Sequence, residues 1–537
     1  MSIWKLYFNP YRLLRLSVIA YLVLFTFAAW YKYNNYRMGF DLAVHEQVLW
    51  NTSHGRVAAT SAFASTSSYF GIDFIPTELL LTPLYAIRPS AQMMLFLQTL
   101  AVALGAIPVF QIVRNRFQQQ LFGEQANSAA SWAGLVFAVG YLLYLPVEYA
   151  NLYEFQIRTF ATTFLLFAWQ AMERRRLRAF LIWSLLALGC RSEVGIVLAG
   201  MGLYVLLEGR SPVVAALQPD EQRRQSLLFG ALPIVLGLAW FVLSLNVIVP
   251  AFRNGEPSLY LSVIYGQIDG QAWLGNRPAE IFTTLFTRPF FVLQEVFGHP
   301  TRGPMRLRYL LEMFLPFGFL LLLQPRILLI TIPIFGLNLL SNTPNIHAST
   351  HYHYQTLIVP FMVIGSAYAL CDLLKRWANR NPERPLTQRA LPLALTGMFL
   401  LALLSNMLIF APAPFNSRNP GVALLGSALK NPGTHERVAA IQKLLEQVPA
   451  DAALATTNKI GPFAAQRERI FFFPGNVIYP ADKITQAEFL LIDQVELLED
   501  AKTRDERQRL LDQLASDARF QRVTEIDGLT LWKRVGD

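Results

Sequence analysis

The sequence predicts a multi-pass α-helical membrane protein of about eleven spans, followed by a small soluble α/β unit. Three observations carry this. Of 537 residues 53% are hydrophobic and only 15% charged, where soluble domains carry about 25%. Apolar runs near the roughly 20 residues that a spanning helix needs recur from residue 14 to residue 411. Basic residues collect in alternate short loops between those runs, as cytoplasmic loops do.

The net charge of +10 therefore reflects membrane topology, and no motif points to nucleic acid. The two cysteines, Cys190 and Cys371, both lie in apolar segments, which excludes a disulfide framework or a thiol metal site. Lys5, Arg12 and Arg15 precede the first run, and "AAWYKYNNYR" ends it without a small-residue cleavage site. The run reads as an uncleaved first span.

The spans are expected at 14–31, 91–113, 131–148, 157–172, 179–190, 193–208, 226–250, 308–324, 327–341, 355–374 and 390–411. With the N-terminus in the cytoplasm, the inner loops hold Arg114 and Arg116, "ERRRLR", the 208–225 loop, Arg326 and "KRWANRNPERPLTQR". The facing loop "SNTPNIHASTHYHY" has no Lys or Arg. Outer loops fall at 32–90 and 250–307. Parity requires 179–208 to be two short arms turning at "CRSE". Each arm reaches only about 18–24 Å, so Arg191 and Glu193 are expected below the outer surface, as a functional pair or as an ion pair that fixes the turn.

The division expected is 1–411 for the membrane unit and 412–537 for the extracytoplasmic α/β unit. In the latter, "HERVAAIQKLLEQV" has helical period. "AALATTN", "RIFFFP" and "AEFLLID" read as strands, and "ELLEDAKTRDERQRLLDQLASD" as one charged helix. "FQRVTEIDGLTLWKR" alternates around Asp527-Gly528 as a hairpin.

On this topology the unusual polar residues share the outer face. They are Asp41, His45 and Glu46 in "GFDLAVHEQVLWN", Asp73 and Glu78 in "GIDFIPTELLLTPLY", Glu148, Glu154 and Arg158 around "VEYANLYEFQIR", Arg191 and Glu193, and His347, His351 and His353. Each has a plain alternative. Asp41 can cap a helix starting near Leu42, and the histidines can be interfacial polar residues. A carboxylate at a membrane boundary can deprotonate an acceptor while a lipid-linked sugar leaves. Arg191, Arg158 and the histidines are the groups available to offset the departing phosphate. No nucleophile elbow, HExxH or phosphate loop is present.

"FDLAVHEQVLWNTSHGR", "PTELLLTPLYAI", "YEFQIRTFATTFLLFAWQAMERRR", "CRSEVGIVLAGMGLYVLL", "HYHYQTLIVPF" and "ATTNKIGPFAAQRERIFFFP" occur in that order. The series resembles the predicted membrane protein family called domain of unknown function 2079, which is similar in architecture to GT-C glycosyltransferases. The resemblance implies a transferase using a polyprenyl-phosphate sugar donor in the bilayer, with Asp41 at the position of a first-loop catalytic acid and Glu46 offset from that family's acid pair. The chain departs from the pattern at Asp73-Phe74, where His-Phe is usual, and at Glu154-Phe155-Gln156-Ile157-Arg158, where an acid, Phe, His, Pro and Glu are usual.

The function expected is transfer of a sugar to an acceptor on the outer face of a bacterial or archaeal plasma membrane. Asp41 is the expected base. His45, Glu46, Asp73, Glu78, Glu154, Arg158, Arg191, Glu193, His351 and His353 are candidates for donor or acceptor binding. No cofactor is required by any motif; a divalent cation on Asp41, Glu46 or Asp73 is the one candidate. Two other classes fit the same features: a transporter or lipid-handling protein, because of the broken span, and an inactive scaffold.

Overall fold

The computed structural model describes residues 9–536 except 64, 123–126, 209–218, 259–273, 275–277, 342, 385, 387–388, 410–435, 475–485 and 500–502. In chain order its main helices are α1 (Pro10–Asn34), α2 (Phe40–Ser53) and the short α3 (Pro76–Leu79). Next come α4 (Ala91–Phe122), α5 (Asn127–Leu142), α6 (Leu145–Tyr153), α7 (Arg158–Glu173), α8 (Leu177–Leu188), α9 (Val194–Glu208) and α10 (Asp220–Ala251). The series ends with α11 (Arg302–Phe314), α12 (Pro325–Leu340), α13 (Val359–Arg380) and α14 (Ala390–Met407).

Every expected apolar run contains a helix, but among the described residues length and composition qualify four as spans by themselves: α1, α4, α10 and α14. The bent pair at α5–α6, broken by 43°, would make a fifth. The run expected as one span at 308–324 is not one helix. It leaves α11 through Leu315–Phe317, turns left-handed at Gly318 and Phe319 (φ 58° each), and continues as a short 3-10 segment. Pro316 lacks the N–H that would continue the helix.

The "CRSE" stretch separates α8 from α9 as a turn. The carbonyls at the end of α8, just before this turn, are taken by α3. Thr77, in α3, gives its N–H to Gly189 O (3.0 Å) and its hydroxyl to Leu186 O (2.8 Å). The chain approaches so closely here that a Cβ on Gly189 would lie 2.3 Å from Thr77 Oγ1.

The final part carries α15 (Glu436–Leu445), β1 (Leu454–Thr456), α16 (Gly461–Ala464), β2 (Ile470–Phe472), β3 (Phe489–Asp493), α17 (Gln494–Leu498), α18 (Arg504–Ser516), β4 (Phe520–Ile526) and β5 (Leu529–Arg534). The five strands form one sheet in the order β2-β1-β3-β5-β4, with β1 parallel to both β2 and β3 and the last two pairings antiparallel. The β4–β5 turn has Asp527 at φ 49° and Gly528 at φ 74°, the two positive angles of a type I′ hairpin. The charged stretch expected as one helix is two. Asp493 caps α17 by accepting the Glu496 N–H (3.0 Å), and Arg504 and Arg507 bind the carbonyls of Leu498 and Leu497 at its end. The expected boundary at 411 lies outside the described residues, as does most of the long loop before Pro278.

Candidate functional site

Helix α2 begins two residues earlier than a cap at Asp41 would require. Its N-cap is Gly39, and no side chain of its own caps it. The cap comes from elsewhere: Glu154 Oε1 accepts the Gly39 N–H and Oε2 the Leu42 N–H, both at 2.9 Å. A carboxylate at a helix N-terminus satisfies otherwise unpaired donors and meets the positive end of the helix dipole. Lys32 completes the junction by donating to the carbonyls of Leu152 and Tyr153. Burial raises Glu154 to about 7; the charge of Asp41 adds to the rise, and Lys32 opposes it. Glu154 thus serves as the helix cap, and Asp41 is left to face the site.

Asp41 is half-buried. Burial raises its carboxyl, against the pull of His45, hydrogen bonds from Tyr153 and Gln156, and the charge of Arg191. One turn on, the buried His45 sets Nδ1 at 2.9 and 2.7 Å from the two oxygens of Glu78, which is fully buried. Burial alone would lower the imidazole, but the Glu78 charge and hydrogen bond outweigh it and raise it.

The α8–α9 turn supplies the next wall. Arg191 Nε lies 2.8 Å from Asp73 Oδ2 and 3.1 Å from Glu193 Oε2. Ser192 donates to the other oxygen of Asp73. Arg191 therefore arrives with two carboxylates on it. Arg158, the first residue of α7, is 1% exposed. It forms a loose 3.9 Å pair with Glu193 and lies 5.6 Å from the centre of the Tyr354 ring. Its Nε and Nη1 have no hydrogen-bond partner among the described residues. His353 is buried against Tyr354 (4.4 Å between ring centres) and Tyr153 (5.5 Å), and its Nδ1 has no hydrogen-bond partner there either. Burial and the charges of Arg158 and Arg191 hold it well below the usual histidine range.

The structure brings together Asp41, His45, Asp73, Glu78, Arg158, Arg191, Glu193 and His353. Three other candidates point elsewhere. Glu46 is on another face of α2, where its Oε1 accepts from Gln466 (2.9 Å) and Tyr85 (3.4 Å). Glu154 is the helix cap. His351 stacks on Tyr149 (4.4 Å) and meets Ser349, away from the cluster. Glu148, also noted on the outer side, is buried against Asn406 (3.1 Å). His347 binds the hydroxyls of Ser341 and Thr343 and packs on Tyr354.

Sequence reasoning did not select Tyr153, Gln156, Ser192, Tyr354 or Lys32. Tyr153, Ser192 and Tyr354 directly adjoin selected residues and Gln156 lies midway between Glu154 and Arg158; that closeness in "LYEFQIR", "CRSE" and "HYHY" is the signal that was there. Among the described residues no group of three His, Cys, Asp or Glu could hold a metal ion. Asp73 is engaged by Arg191 and Ser192, and Glu46 faces away, so the cation site considered on Asp41, Glu46 and Asp73 does not fit.

A chain of apolar helices with a cluster of buried polar side chains between them is a membrane protein of helical class. Residues 33–531 match the model of the predicted membrane proteins designated DUF2079, and the chain belongs to that family. No curated protein is similar enough in sequence to count as a match. Among solved structures, ArnT from Cupriavidus metallidurans bound to undecaprenyl phosphate is similar at 12% identity, over 96% of this chain and 98% of that one, with a TM-score of 0.51. Apo ArnT from the same organism aligns over the same shares at 12% identity with a TM-score of 0.46. The first likeness shows the fold alone: the chain shares its overall architecture with that ArnT structure.

Proposed function

We propose that this protein is a membrane glycosyltransferase that moves a sugar from a polyprenyl-phosphate donor to an acceptor at the outer face. The observation that carries the reading is the buried polar cluster: Asp41 shares it with a buried guanidinium, Arg158, whose Nε and Nη1 have no hydrogen-bond partner among the described residues. A buried cation of that kind is matched to an anionic ligand. The fold shared with a protein crystallised on undecaprenyl phosphate adds support. In this reading the N-terminus and the basic loops are cytoplasmic, and the residues after 411 form an extracytoplasmic unit.

Asp41 takes the proton of the acceptor group as the acceptor atom bonds to the anomeric carbon. The bond from that carbon to the phosphate oxygen breaks on the opposite side, and its electron pair leaves with the lipid phosphate. The configuration inverts. Arg158, with Arg191 beside it, stabilises the charge on the departing phosphate; Glu193 and Asp73 orient Arg191, and the neutral His353 lines the phosphate side. A raised carboxyl suits the task, because a base works best when its pKa approaches the working pH.

The test is Asp41→Asn in membranes supplied with an undecaprenyl-phosphate-linked labelled sugar. Transfer should fall by about 10²–10⁴, the usual contribution of a positioned base, with thermal denaturation unchanged. Normal transfer by the variant removes Asp41 from the role. A wild-type chain that retains no undecaprenyl phosphate in native mass spectrometry refutes the donor assignment.

A further inference from the structure

Helix α2 is only 14 residues long, yet it separates two parts of the molecule. At 100° per residue, Asp41 and His45 fall on one face, together with Val48 and Thr52. Phe40, Ala43 and Gln47 fall on nearly the opposite face, with Glu46 and Trp50 at its border. That second face meets the C-terminal sheet unit. Phe40 packs edge-on against Phe472 of β2 (4.7 Å). A Cβ on Gly461 of α16 would come within 3.0 Å of the Ala43 methyl. Gln47 donates to Glu468 O (2.9 Å) and, through Ser61, which both gives to and accepts from the backbone of Ile470, is tied to the edge of β2.

The most specific contact is a single side chain. Gln466 Nε2 donates to Glu46 Oε1 at 2.9 Å and to Pro89 O at 2.9 Å. It therefore bridges α2 to the far end of the first outer loop. Tyr33 and Tyr36, just before α2, also reach the C-terminal unit: Tyr33 donates to Pro462 O, and Tyr36 to Asp493 (2.8 Å) and Glu496 (3.1 Å).

We infer that the C-terminal unit is a positioning element of the transfer site, with Gln466 acting through Glu46 to fix the rotation of α2 that turns Asp41 toward the buried polar cluster. The inference rests on the proposed transfer reaction. Glu46 and Gln466 are positioning residues: their hydrogen bonds go to each other, to Tyr85 and to Pro89 O, and both act on Asp41 through the helix. Misplacement of a reacting group by about 1 Å is enough to cost about 10²-fold in rate, so a helix held from behind is a direct route to control of the reaction.

The experiment compares Gln466→Ala, Glu46→Ala and Glu46→Gln with wild type in the full-length chain, by amide hydrogen exchange and by transfer kinetics. In Q466A and E46A, exchange across residues 40–53 should rise while exchange across α13 stays as in wild type. The turnover number should fall about tenfold with the KM for the lipid donor unchanged. Glu46→Gln keeps an oxygen that accepts the Gln466 bond, and should recover most of both losses seen in E46A. On an Asp41→Asn background, Q466A should cost no further transfer. Unchanged exchange at 40–53 overturns the proposal, and so does faster exchange with an unchanged turnover number. If wild type transfers nothing, the transfer reading fails, and the exchange at 40–53 alone decides whether Gln466 fixes the helix.

Discussion

Replacing His45 by Ala should destabilise the protein through the partner it leaves behind. Glu78 has no solvent exposure, and its two oxygens lie 2.7 and 2.9 Å from His45 Nδ1. Removing one member of a buried pair strands the other, at about 3–5 kcal/mol. Removing both charges avoids that penalty, so His45→Ala/Glu78→Gln should denature at a higher temperature than His45→Ala, in detergent at pH 7.5. The wild-type pair also has a pH signature. The folded environment raises His45 from its ordinary 6.5, so its contribution is complete below pH 6.5 and fades as pH rises through the higher folded-state value. The double variant should lack that fade. A double variant no more stable than the single one refutes the stranded-charge argument.

Glu154→Ala removes two acceptors from the start of α2 and should cost about 2 kcal/mol, as loss of a strong N-cap does, with faster amide exchange at Gly39 and Leu42 as the local reading. Arg158→Gln should weaken retention of undecaprenyl phosphate at least tenfold in native mass spectrometry while leaving the denaturation midpoint within about a degree. Gly189→Ala forces a methyl to 2.3 Å from Thr77 Oγ1 and should cost about 1–3 kcal/mol by overpacking, read by thermal denaturation. Burial raises Glu46 to about 7 from 4.5. The unfolded chain then releases this proton first, so the site favours folding below pH 4.5 and loses that contribution between pH 4.5 and 7, by at most about 3 kcal/mol. Glu46→Gln should flatten that part of the stability profile.

The helical class, the broken arms at "CRSE", three strands and the Asp-Gly hairpin were legible because each depends on a local pattern. Apolar length, a charged interruption and a turn dipeptide act within a few residues. The division of 308–324 was less visible, since it depends on Pro316 and Gly318 acting inside an otherwise apolar run. The site was legible as a set of outward polar residues but not as a geometry. Asp41 and Glu46 look alike in "FDLAVHEQ", and only the rotation of α2 sends one to the polar cluster of His45 and Arg191 and the other to Gln466. Glu154 looked like a site acid because its true partners are backbone N–H groups 115 and 112 residues away, and nothing in its neighbourhood marks them. Tyr354 and Tyr153 carry no local mark of a site, because only packing sets them around His353 and Asp41.

The borrowed cap on α2 makes the position of Asp41 a property of two distant stretches at once. Residues 39–42 cannot complete their own helix start, so a peptide containing the whole of α2 would not reproduce it. An insertion between α6 and α7 would shift Glu154, and with it the helix start, without touching Arg158, Arg191 or Glu193. A change at Glu154 therefore acts on the Gly39–Leu42 turn as directly as a change within that turn.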